Sequence, residues 1–377
     1  MEVIRTFHPI GQGAFYSERF VENNHDKVFV VYDCGSNNKT TLVKHIRGCF
    51  PKGAEIDILF VSHFHADHVN GIATLRNNYK IKKVVLPLVE EADRMVLKIY
   101  NFASGGKRAY QATRQIIDDP QSFFKKNQKS EPDIIYVKPT GDSRGEFSRG
   151  DNHTPADSLK DGKDIDSYQG ITIFDWIYIP FNYKEEERIT QFKEHLSKEG
   201  INVKDCNDEL FADKEKVRKI KKAYDRLDGR LNGNSLMVYS GTLDPEIESY
   251  SISRLVAPPC FPFQTGLYID KLHGCLYLGD ADLNDPEMLK TINNTLFPYT
   301  GKVGLIQIPH HGSGENYNPK LLDIYKKVVC YVLSYGQKNQ YGHPSHYVLS
   351  SIACADKYLV LVNEEPGSMF VQKILCK

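Results

Sequence analysis

Ile56-Asp57-Ile58-Leu59-Phe60-Val61-Ser62-His63-Phe64-His65-Ala66-Asp67-His68 runs from an apolar strand pattern straight into four side chains able to bind a metal ion. Imidazole nitrogens and a carboxylate oxygen suit zinc or a similar divalent ion, and four such groups in six residues rarely serve one tetrahedral ion. A strand feeding a tight loop can turn His63 and His65 toward one metal and Asp67 and His68 toward a second, about 3.5–4 Å away. The rival reading is a polar turn with chance histidines. Thirteen His in 377 residues are too few for a cluster this dense to arise readily by accident.

The remaining sequence bounds the setting. A chain of 377 residues admits two or three average domains, or one large α/β domain with an insertion. At 41% apolar and 25% charged residues it reads as globular, with ample core. Basic and acidic residues balance at 48 each, which argues against a constitutive coat for duplex DNA but leaves room for a local basic groove. Met1-Glu2-Val3-Ile4-Arg5 lacks the layout of a signal peptide, and no apolar run approaches the roughly 18–20 residues of a membrane helix. The eight scattered cysteines form no C-x-x-C pair and read as reduced core residues, so a cytoplasmic location is expected.

Strand-like runs alternate with helical spacing through the first ninety residues, which points to a layered α/β fold. Residues 41–50 place Leu42, Val43, Ile46 and Phe50 on one side of a helix, and Lys83-Val84-Val85-Leu86-Pro87 resumes as strand. Two helices are expected over 94–102 and 110–117, separated by Gly105-Gly106. Residues 140–170 are poor in apolar side chains and read as a loop. Two further helices, near 185–198 and 214–227, carry many lysines and arginines outward, and solvated surface is preferred there over a nucleic-acid face. Strands resume from Leu236.

His63-Phe64-His65-Ala66-Asp67-His68 resembles the H-x-H-x-D-H hexapeptide of the metallo-β-lactamase superfamily. Val30-Val31-Tyr32-Asp33-Cys34-Gly35 looks like that family's early strand ending in Asp-x-Gly, and Leu276-Tyr277-Leu278-Gly279-Asp280 like its later strand ending in Gly-Asp. Pro309-His310-His311-Gly312-Ser313 looks like its final histidine motif. The His-His-Gly-Ser form, Asn232-Gly233-Asn234-Ser235-Leu236-Met237-Val238 and Tyr341-Gly342-His343-Pro344 are similar to the hydrolase domain of ComEC-type competence proteins. The chain departs from those membrane-embedded proteins in having no membrane-spanning run, and residues from about 90 to 230 match no motif. The resemblance implies one domain, a four-layer αββα sandwich. Its halves would be residues 1–180 and 231–377, with metals at their seam and a charged helical insertion over 181–230.

By that resemblance His63, His65, Asp67, His68, Asp280 and His311 hold two zinc ions, with Asp280 between them. Asp33 would accept a hydrogen bond from a ligand histidine, and Asn234 and Ser313 would support the ligands. Asp67, His310 and His343 are the candidate catalytic groups. Strand alternation would turn His310 away from the ion held by His311, leaving it to meet substrate or protonate a leaving group. Which of the adjacent pair ligates stays open. Most relatives supply a third histidine to the first ion from a motif upstream of the Gly-Asp strand, where this chain has Asn232-Gly233-Asn234-Ser235. Asparagine is a weaker zinc ligand than imidazole, so the first site is expected to be loose, to favour Mn²⁺, or to borrow His153 from the polar loop.

Water between two such ions becomes a nucleophile at neutral pH, its pKa falling from 15.7 toward about 7. The expected function is metal-dependent hydrolysis, most of all of a phosphodiester in a nucleotide or single-stranded nucleic acid, as similar domains do. A carbonyl ester, thioester or lactone is the first alternative, and a metal-bound module without catalysis is the second.

Overall fold

Ile58 and Phe60 of the strand Glu55–Phe60 face inward between two sheets, while Ile56 and Leu59, with the following Val61, face outward beneath helices. A strand apolar on both faces must be covered on both sides. It lies parallel to His25–Ser36 on one side (Tyr32 opposite Phe60) and to Lys80–Pro87 on the other (Phe60 opposite Val85).

The computed structural model describes residues 1–128, 130–140, 153–159, 162–183, 186–227, 235–255 and 266–376. Its first sheet runs Gly266–Asp270, Ser249–Leu255, Phe370–Cys376, Glu2–Phe7, Gly13–Glu22, His25–Ser36, Glu55–Phe60, Lys80–Pro87, Asp133–Val137, Lys163–Ile165. The second runs Tyr358–Val362, Cys330–Ser334, Val303–Gln307, Gly274–Tyr277, Leu236–Thr242, Trp176–Asn182, Gly170–Ile173, His153–Pro155. Phe7, Tyr16, Tyr32 and Phe60 of the first sheet pack against Trp176, Tyr178, Val238 and Tyr277 of the second. Helices Lys39–Gly48 and Ile72–Asn78 cover the outside of the first sheet. Helices Pro286–Thr295, Lys320–Ile324 and His346–Cys354 cover the second. This is the αββα sandwich.

Strands from after residue 231 enter both sheets: Ser249–Leu255, Gly266–Asp270 and Phe370–Cys376 extend the first beyond Glu2–Phe7. The sheets therefore do not coincide with residues 1–180 and 231–377.

One buried ion pair bridges the sandwich. Arg5 Nε meets Glu18 Oε1 at 2.6 Å, and Tyr178 and Tyr277 across the interface donate to the same carboxylate at 2.7 and 3.0 Å. Ser240 Oγ joins them, and itself accepts from Trp176 Nε1 at 2.8 Å. A charge pair removed from water is tolerable only with its remaining donors and acceptors satisfied, as they are here.

Glu91–Asp118 is one helical run bent at Gly106, whose φ of 67° and ψ of −164° interrupt the helix at the expected glycine pair. Its Val96, Ile99 and Tyr100 pack with Ile189, Phe192 and Leu196 of Glu186–Lys198 and with Ile220 of Lys214–Tyr224. Burying each such side chain is worth roughly 1.5–3 kcal/mol, so this apolar seam holds the charged helices together, while exposed pairs such as Lys219–Glu215 add little. Arg188 Nη2 reaches Asp282 Oδ2 at 2.5 Å and ties the helical unit to the segment after Asp280.

The described residues 153–159 and 162–170 depart from the loop expected over 140–170. His153–Pro155 and Lys163–Ile165 are sheet-edge strands, and Ala156, Leu159 and Ile165 are buried between the sheets. Three-residue strands are too short for an alternating pattern to register. Among the described residues no helix is long and apolar enough to cross a membrane.

Candidate metal centre

The hexapeptide leaves the strand Glu55–Phe60 and coils into the short helix Ala66–Val69. Two glycines let this loop sit low against the early strands. A methyl group added at Gly35 would lie 2.5 Å from backbone atoms of Asp67 and His68, and one at Gly13 would lie 2.7 Å from the Asp67 carbonyl oxygen. Asp280 reaches the loop from the second sheet. Gly279 turns the chain with φ +54°, where a side chain would also collide with Ser235 Oγ at 2.2 Å. Gln307 Oε1 accepts from the Leu278 and Gly279 N–H groups at 2.8 Å each, and Asp280 N–H donates to Ser235 Oγ at 3.1 Å.

Two triads place their ligand atoms within 4.8 Å of one another: His63, His68 and Asp280, and Asp67, His68 and His311. Asp280 Oδ1 stands 3.1 Å from His68 Nε2, and its Oδ2 stands 3.7 Å from His63 Nε2 and 3.8 Å from His310 Nε2. His311 Nε2 lies 3.3 Å from Asp67 Oδ2. His65 packs beside them, its ring 4.4 Å from that of His63 and stacked on Tyr100 at 5.2 Å.

The outer ring nitrogens are spoken for, which fixes the inner ones as lone-pair donors. Asp33, wholly buried, accepts from His68 Nδ1 at 2.8 Å. Ser62 donates its N–H to Asp33 Oδ1 at 2.7 Å and its hydroxyl to Oδ2 at 2.6 Å. The Ser62 oxygen can then accept from His63 Nδ1 at 2.8 Å. His311 Nδ1 donates to the Ser334 carbonyl at 2.9 Å, and His310 Nδ1 meets Asn316 Oδ1 at 2.6 Å. Ser62, Ser334, Asn316 and Gln307 escaped the sequence reading. Ser62 alone carried a signal, its place between the apolar strand and the hexapeptide.

Charge follows geometry. Burial pushes His63 well below the usual imidazole range, with His68 and His65 adding to the effect, and burial lowers His65 to about 4. Burial works against a charged His68 too, but the carboxylates of Asp280 and Asp33 outweigh it and hold that ring well above its ordinary value. Burial likewise opposes ionisation of Asp280, yet His68, His310 and His63 bring it well below the carboxylate range. A cation is thus favoured between these carboxylates. His63 Nε2 and His68 Nε2 are buried without a hydrogen-bond partner, which ordinarily costs about 1–3 kcal/mol for such a group. Nitrogen and oxygen donors converging on one negative point fit a divalent ion.

His310 and His311 do not lie on a strand. The strand Val303–Gln307 has ended, and both residues adopt left-handed backbone with φ of 48° and 56°. Alternation therefore does not apply. His310 is turned toward Asp280 and not away from the ligands. Ser313 closes the turn by donating its N–H to the His310 carbonyl at 2.9 Å, and its hydroxyl accepts from Glu315 N–H. His343 is half-buried, with its ring 5.4 Å from that of His310. His153 is exposed on a strand edge opposite Gly170, outside both triads. Asn234 lies outside the described residues.

A cleft of about 490 Å³ is walled by Gln12, Asn37, Lys39, Lys338 and Tyr341. Tyr341 stacks toward His343 at 5.9 Å, which links the cleft wall to the histidines.

A family model described as the metallo-beta-lactamase superfamily matches residues 20–158. Among solved structures, the chain is similar to a motif mutant of a metallo-beta-lactamase from Cronobacter sakazakii, with 12% identity, a TM-score of 0.31, and coverage of 92% of this chain and 90% of that one. It is similar to a possible metal-dependent hydrolase from Veillonella parvula, with 6% identity, a TM-score of 0.31, and coverage of 97% and 98%. It is also similar to a long form RNase Z from yeast, with 12% identity, a TM-score of 0.32, and coverage of 98% and 41%. At these scores the three likenesses carry no argument. Comparison with curated proteins finds no match. The family match over 20–158 contains Asp33 and the whole hexapeptide, and the two-sheet fold is the αββα sandwich that the resemblance implies.

Proposed function

We propose that the protein is a metal-dependent phosphodiesterase, acting on a nucleotide or a single-stranded nucleic acid. The observation that carries this reading is the convergence of Asp67, His68, His311, His63 and Asp280; a cleft bearing Lys39, Lys338 and Tyr341 connects to them through the rings of His343 and His310. His63, His65 and Asp280 would hold one ion, and Asp67, His68, His311 and Asp280 the other, zinc or manganese by their donors. When bound, two such ions supply an activated water and absorb charge building on phosphoryl oxygens.

The residues themselves do the positioning. Asp33 and Ser62 hold the rings of His68 and His63 in the tautomer that points Nε2 inward. Lysine ammonium groups on the cleft suit phosphate oxygens, and an exposed tyrosine suits a stacked base. Neither feature has a counterpart in a simple lactone or carbonyl ester. His343, half-buried beside Tyr341, would be the group that returns a proton to a leaving-group oxygen.

A substrate panel tests the reading. With added Mn²⁺ or Zn²⁺, bis-p-nitrophenyl phosphate and single-stranded DNA should turn over, while thioesters and lactones should not. Turnover confined to the carbonyl substrates would replace the phosphodiester reading, and no turnover at all would favour a binding module.

A further inference from the structure

We infer that His310 is an imidazole ligand of the first metal ion, supplying the third histidine that residues 232–235 lack. The inference rests on the metal centre of the proposed function, but not on the identity of its substrate.

Four observations carry it. His310 Nδ1 is engaged by Asn316 Oδ1 at 2.6 Å, which turns Nε2 inward. That nitrogen stands 3.8 Å from Asp280 Oδ2, and this same oxygen stands 3.7 Å from His63 Nε2. Two ligands bound tetrahedrally to one zinc at about 2.0–2.2 Å are about 3.3–3.6 Å apart, so both separations come within a few tenths of an ångström of a shared coordination sphere. They are too long for hydrogen bonds to that oxygen.

The two carboxylate oxygens also divide the histidines. Oδ2 faces His63 and His310, whereas Oδ1 faces His68, which joins Asp67 and His311 in the other triad. Consecutive left-handed residues make this division possible, because they spread the two adjacent rings to centroids 6.1 Å apart. A strand would have sent one of them to the opposite face.

Burial separates ligation from acid–base work. His310 is 2% exposed, so a leaving group could not easily reach it, while the half-buried His343 lies nearer the cleft. His310 belongs to neither triad of atoms within 4.8 Å, so joining His63 and Asp280 on one ion requires its ring to move inward.

Cobalt titration of the full chain tests this without any substrate. The wild type should bind two Co²⁺ per chain. His310→Ala should keep one and bind the other at least about 100-fold more weakly, beyond the 10–100-fold typical of losing a mere supporting residue. His310→Cys guards against a folding defect: its folded Co²⁺ form should gain thiolate-to-cobalt charge-transfer absorption that the wild type lacks. Two ions bound by His310→Ala within a few-fold of wild-type affinity, or a folded His310→Cys protein with no such band, would overturn the inference. Either result would leave phosphodiester turnover to be judged on its own.

Discussion

Asp33 Oδ2 accepts from His68 Nδ1 at 2.8 Å in the fully buried floor of the site, joining the end of one strand to the last residue of the hexapeptide. The bond sets the ring so that Nε2 faces Asp280. Asp33 pays for this position with a left-handed backbone, φ 57°, and with burial that pushes its carboxyl upward against the pull of His68 and Ser62. Such a cost is tolerated where the group orients a ligand. Asp33→Asn should keep the Ser62 N–H contact and the fold, yet weaken metal binding about 10–100-fold. Competition against a chromophoric chelator measures this, and unchanged affinity would mean that Asp33 serves the fold alone.

Asp67 is a candidate ligand with 22% of its side chain accessible. It sits in the short helix Ala66–Val69 after the strand, and its partner is His311 at 3.3 Å. Asp67→Ala should therefore remain cooperatively folded by circular dichroism. It should lose more than about 10²-fold of phosphodiester turnover, exceeding the loss from a supporting residue. Near wild-type rates with Mn²⁺ present would remove Asp67 from the catalytic centre.

Glu18 is the acceptor for Arg5, Tyr178, Tyr277 and Ser240 inside the sandwich. Glu18→Ala should destabilise the protein by about 3–5 kcal/mol, because it leaves a buried guanidinium uncompensated. Arg5→Met combined with Glu18→Leu should cost far less, since both charges leave together. Urea unfolding of the three proteins gives the comparison, and equal losses in single and double variants would contradict the account.

His8 and His273 are buried outside both metal triads, and burial lowers both to about 3, with His45 adding to it for His8 and Arg5 and Lys302 for His273. Both stay neutral in the fold while the unfolded chain takes protons below 6.5. The unfolded state therefore binds more protons between those values. The stability these residues contribute is complete above pH 6.5 and declines as pH falls toward 3, by up to about 1.4 kcal/mol per unit for each histidine. His273→Gln should flatten the fall in denaturation midpoint between pH 6.5 and 5. An unaltered slope would show that His273 takes up a proton while folded.

The candidate ligands could be picked out in the sequence because chemistry-bearing residues clustered there or closed apolar runs, as Asp33 and Asp280 do. His310 was misread for a physical reason: side-chain direction was taken from strand alternation, and no residue type announces left-handed backbone at two successive histidines. Sheet membership was hidden in the same way. Ser249–Leu255 and Phe370–Cys376 look like any other strands, and only long-range pairing places them beside Glu2–Phe7. The charged helices were found from their apolar faces, but their packing partner, the Val96–Tyr100 surface of Glu91–Asp118, depends on the chain folding back over nearly one hundred residues.

Anomalous scattering from crystals loaded with Mn²⁺ or Zn²⁺ tests the two-metal centre most directly. The account predicts two peaks flanking the Asp280 carboxylate, at ligand distances of about 2.0–2.2 Å. One should lie on the His63 side and the other among Asp67, His68 and His311. A single peak remote from Asp280, or none among these five side chains at saturating metal, would contradict it.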